Sequence, residues 1–387
     1  MTSIMKYRWR SIFAWNVGLL LLALFSAELV FGSWFRAPAL WQLSIYKNVN
    51  WTIPVKEIYG RNEPIAYNRD YFGLRGNHGT PGAVNILTIG GSTTDERKID
   101  NRETWPRILQ TCLRGRGVAA TLANAGVAGQ STRGHILNFK YWLNHIPNLK
   151  PKYTVAFIGF NDRSIDHRQP FEDPRYYTEF PTAPGRIDVL IEWIKINSAV
   201  YALWRAVRGN LRAIVIGIHP AFLKKPAGPA FHGETQRDKM TRKYGSNSKA
   251  ASLVRGSATH KSLVVEYTGR HGPALNAYRV RLSALNEEIR KFGSTPIFIS
   301  QGNGGYRFSD NRVTGSAEAF IEVDAWNAVF KDHCRKTNTF CVDLAGTLSF
   351  GDGDLYDPVH TTPQGSKRIG KAICEALLTN PDFRPVP

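Results

Sequence analysis

Ser92, Asp357 and His360 bring a hydroxyl, a carboxylate and an imidazole to one chain of 387 residues. A serine hydroxyl is a weak nucleophile until an adjacent imidazole takes its proton. That imidazole in turn needs a carboxylate to hold its tautomer and stabilise its charged form. The three-residue step from Asp357 to His360 lets one turn of chain carry the carboxylate to the ring's second nitrogen. Acyl transfer through a serine also requires donors aimed at the oxygen of a tetrahedral intermediate. The backbone N–H groups of Ser92 and Gly129 and the Asn161 side-chain amide are of the right kind, and glycine at 129 permits close backbone approach.

These residues fall in four short blocks: Gly90-Gly91-Ser92-Thr93, Asn124-Ala125-Gly126-Val127-Ala128-Gly129, Gly159-Phe160-Asn161-Asp162 and Asp357-Pro358-Val359-His360. Each of the first three follows or closes a short apolar run of strand type, at 84–89, 118–123 and 153–158. All three are therefore expected at the carboxyl edge of one parallel sheet, where open α/β sheets bind ligands. Singly, the blocks have plainer readings. Ser92 ahead of Asp95 and Glu96 suits a helix N-terminus, Asn161-Asp162 suits an Asx turn, and 357–360 suits a polar turn before a final helix. Their order and strand contexts together argue for one centre.

The blocks resemble those of the SGNH (GDSL-type) hydrolase family, which contribute Ser, Gly, Asn and His in this chain order. The resemblance runs from about residue 84 to 378 with a long interruption. It implies Ser92 as nucleophile, Gly129 and Asn161 as further oxyanion donors beside the Ser92 amide, and Asp357 with His360 as the Asp-x-x-His pair. The first block departs from the family's name motif, reading Gly-Gly-Ser-Thr where Gly-Asp-Ser-Leu is usual. The implied fold class is α/β: a three-layer, flavodoxin-like arrangement with a five-stranded parallel sheet in the order 2-1-3-4-5, helices on both faces and right-handed crossovers. Periodicity agrees, with helical spacing at 103–113, 278–292, 317–336 and 362–378 and two further strand-like runs at 296–300 and 340–344.

Rival chemistries fail on detail. No Gly-Lys-Ser/Thr follows the Gly90-Gly91 turn, and no Gly-x-Gly-x-x-Gly is present there, which disfavours a nucleotide site. The Gly-x-Ser-x-Gly elbow of α/β-hydrolases is broken by Thr94. Asp166-His167, His219, His232 and His271 lack the close spacing of zinc ligands. Neither metal nor cofactor is expected.

Lys6, Arg8 and Arg10 precede an apolar run at 12–31 about long enough to cross a bilayer. Trp34 and Phe35 follow like interfacial anchors, and the basic flank places everything after residue 35 outside the cytoplasm. Asn16 and Glu28 interrupt the run, and a signal peptide cleaved after Ser26-Ala27 is the alternative, as is a buried helix. Segments are expected at 1–35 (signal anchor), 36–83 (lead-in) and 84–380 (hydrolase domain), with an insertion at about 163–277. Within it, 186–219 reads as an amphipathic helical cap, and 224–270 as a basic, irregular stretch rich in Gly, Ser, Ala and Lys.

Four cysteines suit an oxidising compartment. The expected pairs are Cys334 with Cys341, at a helix end and the next strand, and Cys112 with Cys374, on helices that the family's fold packs on one sheet face; four free thiols remain the alternative. A net charge of +19 attracts anions, so an anionic membrane surface or envelope glycan is the expected partner unless the charge is simply solvated. No nucleic-acid module is recognisable. The expected function is an extracytoplasmic serine esterase, anchored by one N-terminal helix and acting on an acyl ester of a glycan or lipid, with deacetylation of an envelope polysaccharide first. O-acyl transfer from the same site, or a non-catalytic envelope-assembly or binding role, are the rivals.

Overall fold

The computed structural model describes residues 2–32, 34, 43, 45–164, 187, 190–191, 194, 197–215, 218–220, 233–245, 253–381 and 383. A single helix, α1 (Thr2–Phe31), opens the chain. Its stretch Ile12–Phe31 is long and apolar enough to cross a membrane and is unburied. The lead-in forms an antiparallel hairpin, β1 (Val49–Val55) and β2 (Arg61–Arg69), joined by the single turn α2 (Lys56–Tyr59).

The central sheet follows. β3 (Ile86–Gly90) runs into the short turn α3 (Ser92–Asp95), then α4 (Trp105–Gly115), β4 (Leu122–Asn124), α5 (Thr132–Tyr141) and β5 (Tyr153–Ile158). Beyond the insertion come β8 and β11, defined below, and the five strands lie β4-β3-β5-β8-β11, all parallel. In order of appearance this is 2-1-3-4-5, as expected. The strands are continuous apolar runs because both faces are covered. Leu87, Ile89, Ala156 and Ile158 join one buried cluster, while Ile86, Val155 and Phe157 join the other.

The insertion holds α6 (Ala199–Val215), the short strand β6 (His219–Pro220) that extends the hairpin beside β1, and α7 (Gln236–Tyr244). Then come β7 (Leu253–Val254) and the long helix α8 (Ala258–Lys291), with β8 (Thr295–Ser300), β9 (Tyr306–Ser309) and β10 (Arg312–Gly315) after it. The chain closes through α9 (Ala317–Thr337), β11 (Phe340–Val342), the turn α10 (Leu344–Thr347) and α11 (Pro363–Thr379). Helices α5, α8 and α9 pack on the first face of the sheet, and α4 and α11 on the second. Both expected disulfides are present; Cys112–Cys374 ties α4 to α11 and Cys334–Cys341 ties α9 to β11.

The described parts of 224–270, residues 233–245 and 253–270, are more regular than the composition suggests. Thr235 caps α7 by a reciprocal pair of bonds with Asp238, and Met240 reaches the core. Helix α8 begins at Ala258, twenty residues before its apolar spacing becomes plain, because Ser257 caps it and Leu263, Val264 and Tyr267 pack on a small cluster around Phe320 and Val313. Pro273 and the non-helical backbone at His271 interrupt the period there. The small antiparallel sheet β7-β10-β9, part of the same cluster, was not legible.

The expected cap at 186–219 lies partly outside the described residues, as do Lys224 and Lys225. Its described helix, α6, meets α1. The Glu28 carboxylate accepts bonds from Ser198 Oγ (2.6 Å) and from the Ala199 and Val200 amides, capping α6. The one acidic residue of the apolar run thus has partners at the run's end.

Candidate active site

Strand β3 delivers Ser92 through a turn that only glycine permits. A Cβ at Gly90 would lie 2.1 Å from Thr94 Oγ1, and one at Gly91 would lie 2.6 Å from Asn161 Nδ2 and 2.9 Å from the Gln130 carbonyl oxygen. The glycine before the serine, where the block departs from the family motif, therefore makes room for the Asn161 amide.

His360 arrives from the loop before α11. Its Nε2 is 2.7 Å from Ser92 Oγ, and its Nδ1 is 2.7 Å from Asp357 Oδ2. Asp357 Oδ1 accepts from the Val359 and His360 amides at 2.8 and 2.7 Å, so the one-turn spacing read from the sequence is realised. Burial alone would raise the Asp357 carboxyl. The His360 hydrogen bond and charge and the two amides outweigh it and hold the carboxyl below its ordinary value. The His360 side chain is 33% exposed, and its ring stacks beside Tyr356.

Gly129 has a φ of +81°, in the left-handed region that glycine adopts freely. Among the described residues, neither its N–H nor that of Ser92 donates a hydrogen bond. Asn161 Nδ2 donates to the Gln130 carbonyl (2.8 Å), which leaves its second hydrogen unspent. All six expected site positions, counting Ser92 in both roles, thus converge on one edge of the sheet. The Ser92–His360–Asp357 line can move the Ser92 proton to His360.

The supporting residues were mostly not legible in the sequence. Asp162 is buried and its carboxylate accepts from Thr132 and from Arg281 Nε and Nη2 (both 3.2 Å), pinning the Asn161 turn to α5 and α8. Asn124 donates to the Thr94 carbonyl and accepts from the Gly126 amide, tying the second block to the nucleophile turn. Asp95 and Glu96 look in the sequence like ordinary acids of a helix start. In the fold, Asp95 is buried and meets Arg69 from β2 at 2.7 Å and Tyr67 OH at 2.9 Å. Glu96 accepts from the Trp105 amide, Thr361 Oγ1 and Ser366 Oγ, so it links the nucleophile turn to the loop carrying His360. Burial pushes its carboxyl up to about 7, against the pull of those donors. Arg69 and Arg75 come from the lead-in, where no motif marks them.

No family model and no curated protein matches the chain. The fold is α/β, a parallel sheet in the order 2-1-3-4-5 with helices on both faces. Solved structures that are similar include TesA (12% identity, 76% of this chain and 97% of that one, TM-score 0.38). A catalytic mutant of Axe2, an acetylxylan esterase from Geobacillus stearothermophilus, is similar at 13% identity over 78% of this chain and 95% of that one, TM-score 0.38. A GDSL-like lipase from Bacteroides thetaiotaomicron is similar at 13% identity over 75% and 86%, TM-score 0.34. The functional reading below rests on the site's own geometry. Among the described residues no group of three or more His, Cys, Asp or Glu could hold a metal ion.

Proposed function

We propose that this protein is a serine esterase held at a membrane, acting outside the cytoplasm on an acyl ester of an envelope glycan or lipid. The observation that carries the reading is the unbroken line from Ser92 Oγ through His360 to Asp357, 2.7 Å at each step, beside two amides that have no partner among the described residues. Ser92 Oγ attacks the ester carbonyl carbon while His360 Nε2 takes its proton, and the carbonyl oxygen becomes an oxyanion bonded to the Ser92 and Gly129 amides and the Asn161 side chain. Collapse breaks the bond to the alcohol, which leaves with the proton from His360. Water then attacks the acyl-serine, again giving its proton to His360, and the acid departs as Ser92 recovers that proton. A sugar hydroxyl in place of water would make the same steps an acyl transfer.

Placement outside the cytoplasm is supported by the basic residues ahead of the apolar run of α1 and by the two disulfides, and attachment to a membrane by α6. That helix presents exposed Leu203, Trp204, Val207 and Leu211 beside the end of α1, as an interfacial helix does. The test is acyl-ester turnover by the full chain in neutral detergent. Ser92→Ala or His360→Ala should lower it by orders of magnitude with the fold intact. Near-normal turnover by a folded Ser92→Ala protein would overturn the mechanism.

A further inference from the structure

Ser92 and His360 open into a cavity of about 190 Å³ whose wall also includes Arg97 and Lys98. Lys98 is only partly exposed, and among the described residues its ammonium has no hydrogen-bond or ion-pair partner. Arg97 is better provided, its guanidinium lying over the Tyr46 and Tyr67 rings. Its carboxylate contact is Asp95 Oδ2 at 3.4 Å, an acid already held by Arg69 at 2.7 Å, and its Nε is buried without a partner. Behind them Arg75 is fully buried; among the described residues it bonds to the Asp95 and Ile99 carbonyls and the Asn101 side chain and lies over the Tyr67 ring. The nearby Asp100 carboxylate is occupied by the Ala66 amide and Arg102, and Asp357 by His360. Three arginines thus gather around Asp95, and Arg97 and Lys98 line, with Asp95 and Glu96, the cavity that holds the nucleophile.

Half-buried cations lose hydration without compensation unless an anion joins them. We propose that this cavity binds a carboxylate on the sugar that carries the scissile acyl ester, with Lys98 and Arg97 as its partners. The inference rests on the esterase reading and names its substrate class, an acylated acidic carbohydrate. The cavity falls below the roughly 300–1,000 Å³ of drug-sized sites, which suits a short acyl group and the charged edge of one ring better than a lipid chain. Burial and the neighbouring Arg97 both lower the Lys98 pKa, and a bound carboxylate would relieve both. This locates anion recognition beside the nucleophile. The basic residues of the insertion are partly spent within α7 and its cap, where Arg237 pairs with Asp238 and Arg242 with Glu234.

The experiment compares acetate release by the full chain from an O-acetylated methyl hexuronoside and from its neutral carboxamide. The wild-type kcat/KM should favour the carboxylate on the order of tenfold, the worth of one charge-assisted hydrogen bond. The preference should shrink toward one as salt rises to about 0.5 M. Lys98→Gln should collapse the ratio and Lys98→Arg should retain it. A wild-type ratio near one, or a ratio unchanged in Lys98→Gln, overturns the inference while leaving the esterase standing. If Lys98→Gln does not fold, the wild-type salt dependence decides. Preference for acyl esters presented in anionic phospholipid vesicles over both sugars would overturn the inference in favour of a lipid. Absence of turnover on every ester would remove the esterase reading and this one with it.

Discussion

Replacing Gly91 with alanine adds one methyl group at a point where the structure has no room for it. The backbone there has a φ of −79°, outside the left-handed region, so the cost argued is that of contact. The new carbon would stand 2.6 Å from Asn161 Nδ2 and 2.9 Å from the Gln130 oxygen, the two atoms joined by the bond that positions the Asn161 amide. The side chain yields more easily than the backbone, so the amide leaves the oxyanion position. Loss of one such donor costs about 10²–10³ in kcat, or about 3–4 kcal/mol of transition-state stabilisation. Gly129→Ala should behave in the opposite way. A Cβ there meets nothing within 4 Å, but a φ of +81° costs a non-glycine residue about 1–2 kcal/mol, which shows as lower stability with the amide still in place. The assay is kcat and KM on a 4-nitrophenyl ester beside thermal melting. Gly91→Ala should match Asn161→Ala in kcat, and the double variant should fall no further, since both remove the same donor. A Gly91→Ala kcat within about threefold of wild type, or additive losses in the double variant, would refute the reasoning.

The buried Glu96 carboxyl, raised to about 7 from an ordinary 4.5, binds its proton more tightly in the folded chain than in the unfolded one. It should contribute roughly 3 kcal/mol that is present below about pH 4.5 and lost as pH rises through about 7. Melting of Glu96→Gln should show a shallower fall over that window than wild type, and an unchanged slope would contradict this. Removing Cys112–Cys374, 262 residues apart, should cost more than removing Cys334–Cys341, 7 apart: about 5.6 against about 2.4 kcal/mol by chain entropy. Equal losses of denaturation free energy in the two Cys→Ala pairs would show that the long loop is already constrained when unfolded. The intact chain should resist alkaline extraction from membranes, and a reporter active only outside the cytoplasm should work when fused after Pro387. A soluble chain beginning near Glu28 would establish cleavage instead.

The chemistry was legible because Ser92, Gly129 and Asn161 each sit in a short block beside a strand, where the sheet's edge rule brings strand ends together, and because Asp357 and His360 stand one turn apart before the last helix. These five needed no more than that. The residues that hold them needed the third dimension. Arg69 approaches Asp95 from the last residue of the hairpin and Arg75 from the turn after it, where the strand alternation says nothing, and Arg281 meets Asp162 across more than a hundred residues. Glu96 was hidden by a plainer reading, because an acid four residues after a serine looks like helix-start chemistry until Thr361 and Ser366 are seen against it. The early start of α8 was masked by Gly269, Gly272 and Pro273, which lower helix propensity just where packing on Phe320 overrides it. The regularity of α7 was masked by its charge, since one buried side chain, Met240, fixes its inner face.

The central claim is that Ser92 is a nucleophile made reactive by His360. A fluorophosphonate reagent reports this directly, because it phosphorylates a serine only where an adjacent base takes the proton and an oxyanion site receives the developing charge. Intact mass and peptide mapping of the full chain after treatment should show a single adduct on Ser92. The adduct should be absent in Ser92→Ala and strongly slowed in His360→Ala. Labelling at another residue, or none in a protein whose melting is normal, would contradict the account.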